Sequence, residues 1–148
     1  MRTRFILAAA VVAAALPALA PAAGTSMSPV VSAKLAGKNE VPKGDPNGSG
    51  IATIHLSTAK GTVCWSFEKV KKIGTPQVSH IHKGKAGTSG PVVVPLGGKY
   101  KAKGCTTAPK KLIEAIETHP NAYYVNIHNA KYPGGAIRGQ LVAGMLGG

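Results

Sequence analysis

Acidic residues are scarce in this 148-residue chain: five Asp and Glu stand against eighteen Lys and Arg, for a formal charge of +13 at neutral pH. Asp45 is the sole aspartate, and Glu40, Glu68, Glu114 and Glu117 fall in separate contexts. No pair of carboxylates is therefore laid out for glycosidase-type acid–base work. A Gly-x-Ser-x-Gly nucleophile signature is missing. The glycine-rich stretch 84–91 lacks the Gly-Lys-[Ser/Thr] and following helix of a phosphate-binding loop. No nucleic-acid motif accompanies the positive charge, and the lysines are scattered rather than gathered in one block, which argues against specific nucleic-acid binding. The excess suits an anionic envelope or matrix polymer instead.

Long apolar runs are also few. Arg2 and Arg4 precede an apolar segment, residues 5–16, and a small-residue zone, residues 18–23, which together predict an export signal over residues 1–22. Nothing downstream approaches the roughly 18 apolar residues of a membrane span. No cysteine at the cleavage zone supports a lipid anchor. Cleavage removes two positive charges and leaves +11. The remaining chain, about 125 residues, suits one domain with one core. Residues 23–29 read as a linker, 30–143 as the domain and 144–148 as a flexible tail. Cys64 and Cys105 are the only cysteines and show no Cys-x-x-Cys spacing. In an exported chain they predict one disulfide and a secreted or periplasmic location.

What is abundant is short alternation between turn signals. Val31, Ala33 and Leu35 alternate with polar neighbours; so do Ala52, Ile54 and Leu56, and Val63, Trp65 and Phe67, with Lys60-Gly61 as a hairpin turn. Further strands are expected over residues 78–82, 92–96, 100–105, 122–129 and 136–143. Thr107 is a candidate cap for one short crossover helix carrying Leu112, Ile113 and Ile116 and ending at His119-Pro120. Seven to nine short strands with a single minor helix predict an all-β domain, a β-sandwich or barrel-like sandwich.

Period two also sets out the chemistry. In Val78-Ser-His-Ile-His82 the two imidazoles share one face and Ile81 takes the other. In Tyr123-Tyr-Val-Asn-Ile-His-Asn129, Tyr124, Asn126 and His128 share the face opposite Tyr123, Val125 and Ile127. His80, His82 and His128 are thus candidate ligands for a transition metal, copper or zinc, provided the two strands are neighbours. The alternative is structural: the rings hydrogen-bond loop carbonyls or Tyr124 and Asn126 and pin the 84–91 loop. Arg138 either steers an anion towards the histidines or pairs with a carboxylate, the role guanidinium favours. His55 and His119 have weaker contexts.

The segments Leu35-Ala-Gly-Lys-Asn-Glu-Val-Pro42, His80-Ile-His82 with Gly90-Pro-Val-Val93, and Tyr124-Val-Asn-Ile-His128 followed by Tyr132-Pro-Gly-Gly-Ala-Ile-Arg-Gly-Gln-Leu141 resemble the CHRD domain family, first described in the chordin proteins. Ala136 departs from that pattern, which usually carries Glu before Ile-Arg-Gly. The resemblance implies an extracellular or periplasmic β-sandwich of Greek-key, immunoglobulin-like or superoxide-dismutase-like layout. The layout also looks like that of copper-zinc superoxide dismutases, but a second metal subsite with its aspartate cannot be assembled here. The expected function is a non-enzymatic binding or structural module. A copper-dependent dismutase-like oxidoreductase and a basic module on an anionic polymer are the alternatives.

Overall fold

The computed structural model describes residues 29–146. The expected export signal, most of the linker and the last two residues of the tail lie outside the described residues. Among the described residues, nine strands and one α-helix follow in the order β1 (Val30–Ala36), β2 (Ser49–Ser57), β3 (Thr62–Lys71), β4 (Pro76–Lys83), β5 (Val92–Pro95), β6 (Lys103–Thr107), α1 (Lys110–Thr118), β7 (Tyr123–Asn129), β8 (Ile137–Gln140) and β9 (Val142–Ala143).

All strands belong to one sheet, ordered β5-β4-β7-β8-β1-β2-β3-β6, with β9 paired to β1. The neighbours β3–β6 and β4–β7 are non-consecutive, so the chain crosses over in Greek-key fashion. The sheet curls into a nearly closed, barrel-like sandwich around one core, as the all-β expectation requires. Its halves meet where β8 joins β1 through the single register pair Ala36↔Arg138.

The alternation seen in the sequence fills this core. Val31, Ala33 and Leu35, then Ala52, Ile54 and Leu56, then Val63, Trp65 and Phe67 are all buried. Ile81, Val94, Val125, Ile127 and Ile137 close it from the other half, and Ile113 and Ile116 are the buried side of α1. Trp65 donates its indole N–H to the Lys101 carbonyl at 2.9 Å, satisfying the one polar atom that a buried tryptophan brings. A Cβ at Gly104 would stand 2.6 Å from the Trp65 ring, so glycine there is what lets the indole lie against β6.

Several strand ends shift by one or two residues, and three differences from expectation have a clear tertiary cause. The strand foreseen over residues 100–105 runs over Lys103–Thr107, because pairing with β3 sets Cys105 directly opposite Cys64 while Tyr100 leaves the ladder to stack on Phe67. Thr107 belongs to β6 and does not cap α1; Pro109 holds the N-cap position without a side-chain bond. The last strand is split in two, since Leu141 turns inward and bonds the Tyr123 carbonyl before β9 pairs with β1.

Cys64 and Cys105 form a disulfide that ties β3 to β6. Replacing both cysteines with alanine should remove up to about 4 kcal/mol of unfolding free energy, the chain-entropy limit for a closure of this length. Denaturant titration of the double variant measures the loss.

Candidate metal centre

The site is built on the outer face of three adjacent strands. Antiparallel pairing of β4 with β7 places Val78 opposite His128, His80 opposite Asn126 and His82 opposite Tyr124. On the other side of β7, Asn126 faces Arg138 and Tyr124 faces Gln140. Because Ile81, Val125 and Ile127 take the core, every histidine of these segments is turned the other way. Part of that face is nevertheless closed to water, although His80 and His128 stay partly exposed. Tyr124, Asn126 and Arg138 are buried and His82 is only 8% exposed. Ser89 Oγ bonds the Val41 carbonyl and links two loops over the face.

The condition set by the sequence is met: His80, His82 and His128 converge, each offering a ligand nitrogen within 4.8 Å of the others. His80 Nδ1 and His128 Nε2 are 3.2 Å apart. With His128 Nδ1 held by a carbonyl, this contact is a hydrogen bond donated by His80 Nδ1. Two nitrogens bound to one tetrahedral metal at about 2.0–2.1 Å stand about 3.3 Å apart, so a shift of the His80 proton to Nε2 would leave the pair at the spacing of a chelate.

The remaining ring atoms are arranged to keep lone pairs inward. His82 Nδ1 lies 2.8 Å from the Gly90 carbonyl and His128 Nδ1 lies 2.9 Å from the Pro133 carbonyl. A carbonyl only accepts, so both Nδ1 atoms carry the proton and both Nε2 atoms present a lone pair. His82 Nε2 is buried and makes no hydrogen bond of ordinary length, although the Asn126 side chain is near enough to favour a proton on the ring. A buried imidazole acceptor left unpaired is unfavourable unless something fills its place. The structural role foreseen for the histidines and the ligand role therefore use different atoms: the outer nitrogens pin loops, and the inner ones face one another. Such outer carbonyl bonds are how metal-bound histidines are oriented.

His80 and His82 also resist protonation. Burial, then the neighbouring His128 and His82, lower the pKa of His80 to about 4. Burial likewise lowers that of His82, against the bond to Gly90. Neutral imidazole is the form that binds metal.

Behind the histidines lies a layer that sequence reasoning left in unrelated contexts. Glu40 is buried against Arg138, with Arg138 Nε 4.0 Å from Glu40 Oε2. Arg138 also donates to the carbonyls of Asn39 at 2.6 Å and Thr88 at 2.9 Å, and its guanidinium stacks 4.2 Å from the Tyr124 ring centroid. Tyr124 in turn stacks on His82 at 4.7 Å. Arg138 is thus engaged with a carboxylate and two loops; steering an anion would require its charge at the surface. Burial raises Glu40 to about 7, against the lowering effect of Arg138 and of hydrogen bonds from Asn126 and Val41. Gly135, at φ 139°, leaves the space that the Glu40 carboxyl occupies. The scarcity of acids was the available signal for Glu40, since a lone acid in a basic chain is a natural partner for an arginine. His55 and His119 are exposed and stay outside the cluster.

The family model for the CHRD domain matches residues 31–141. Comparison with curated proteins and with solved structures found no match.

Because the folded His80 binds its proton less tightly than the unfolded ring, its own contribution to stability declines in acid. The unfolded state takes up more protons between about pH 6.5 and pH 4, so this contribution to stability is present above that window and lost as pH falls through it. The metal-free His80→Gln variant should show a shallower decline in urea midpoint across the window than the parent chain.

Proposed function

The chain belongs to the CHRD domain family, and from that premise we propose that it is an exported, non-enzymatic binding module that holds one transition-metal ion, copper or zinc, at His80, His82 and His128. The observation that carries this reading is the buried, unpartnered Nε2 of His82, turned towards a second pair of imidazole nitrogens 3.2 Å apart. Three neutral nitrogen donors suit copper and zinc, and copper binds a given nitrogen site more tightly. When bound, the ion would supply Lewis acidity and a positive charge on the outer face of β4 and β7. The protein's part is to orient His82 and His128 through Gly90 and Pro133 and to exclude water on the Tyr124 side.

The disulfide supports export, because such bonds persist in oxidising compartments. No helix of the described residues is long and apolar enough to cross a membrane. Among the described residues no second group of three histidine, cysteine or acidic side chains is gathered, so a two-metal dismutase arrangement finds no support.

Titration of metal-free protein with copper(II) or zinc(II), followed by calorimetry, should give one equivalent bound. His82→Ala should weaken uptake by about 10-fold to 100-fold or more, by analogy with the loss seen on altering even an outer partner of a ligand. His55→Ala should leave it unchanged. Uptake no greater than in the His82→Ala variant would reject the site, and loaded protein that dismutes superoxide faster than the same free metal would reject the non-enzymatic reading.

A further inference from the structure

The positive charge has a focus that the metal site does not use. On the outer face of β1, β2 and β3, on the other half of the sheet, a shallow cleft of about 330 Å³ is lined by Lys34, Leu35, Ser49, Gly50, Ile51, Lys69 and Lys71. All three lysines are exposed. They come together through register: Lys34 faces Ile51, which faces Glu68, while Ser49 faces Lys71. The pairing slips between Ser49 and Ile51, and Lys69 takes a left-handed φ of 51°, so the end of β3 brings its lysines to the cleft. Glu68 is the one acid on these three strands. Beside the cleft, the next row of the same face reads Thr53, Ser66 and Lys103, two hydroxyls and a further exposed lysine.

We propose that this face is a docking surface for an extended anionic polysaccharide. Lys34 stands two strands from Lys69 and Lys71, about 10 Å at the backbone, so flexible lysines can meet successive acidic groups along one polymer. The hydroxyls of Thr53 and Ser66 offer donors and acceptors that match sugar hydroxyls. The face lacks what the other polyanions need. Trp65 and Phe67 are turned into the core, leaving no aromatic platform on which bases could stack. The exposed large apolar side chains Val41, Val92, Val142 and Met145 all lie outside the cleft lining, so nothing there would insert into a lipid surface.

The test is binding of the chain to immobilised polygalacturonate, with duplex DNA and phosphatidylglycerol vesicles as competing arms. The parent chain should be retained at low salt and released as salt rises. The variant Lys34→Gln/Lys69→Gln/Lys71→Gln should bind about 10-fold or more weakly, since it removes the three cationic groups that line the cleft. A control with the same charge removed elsewhere, Lys99→Gln/Lys110→Gln/Lys111→Gln, should bind within about 3-fold of the parent, since none of its lysines lines the cleft. Thermal unfolding checks that both remain folded; if the first does not, the exposed single change Lys34→Gln takes its place. No retention, equal losses in the two variants, or tighter binding to DNA or vesicles than to the polymer overturns the proposal.

Discussion

Every feature of the histidine site depends on the register of β4 against β7. With Val78 opposite His128 and His80 opposite Asn126, the three imidazoles fall on adjacent positions of one face. A slip of one residue would exchange the faces, driving the histidines into the core and Ile81 out of it. That exchange is opposed by the full burial of Ile81, Val125 and Ile127, so the apolar side of the two strands holds the chemical side in place. Core packing and ligand geometry are two faces of one constraint.

The second dependence is on the layer that covers this face. A strand surface outside a barrel would ordinarily be wet, yet here the Glu40–Arg138 pair and the Tyr124 ring exclude water behind His82. Arg138 holds the carbonyls of Asn39 and Thr88 together, and so fastens two loops that are distant in sequence. The same 84–91 loop supplies Gly90, which fixes the tautomer of His82. Several buried polar atoms of this layer, among them Glu40 Oε1, Asn126 Oδ1 and Arg138 Nη2, have no partner. Their concentration around one side of the cluster marks the layer as polar and under-satisfied, in contrast to the interior of the sheet, which is mostly apolar with Ser79 as a buried polar exception.

Much of the fold was legible in the sequence because alternation is a local signal. The inward residues of β1, β2, β3 and β7 follow from period two alone, as does the shared orientation of His80 with His82. The disulfide was legible from a count of two, and the pairing of β3 with β6 shows how the chain meets it. The edges were less legible. Lys103–Thr107 took its place from the cross-strand partner of Cys64, and the final strand broke where Leu141 found the Tyr123 carbonyl, both being decisions of tertiary pairing.

The amino-acid order by itself determined which side chains share a face: the two imidazoles of β4, the Tyr124, Asn126 and His128 set of β7, and the apolar residues behind them, since successive residues of a strand must point to opposite sides. It also determined the excess of positive charge. Only the tertiary structure decided that β4 and β7 are neighbours, that Glu40 returns across nearly a hundred residues to meet Arg138, and that Lys34, Lys69 and Lys71 rim one cleft. These are meetings between distant parts of the chain, set by which strands pair and in what register, and no local periodicity encodes them.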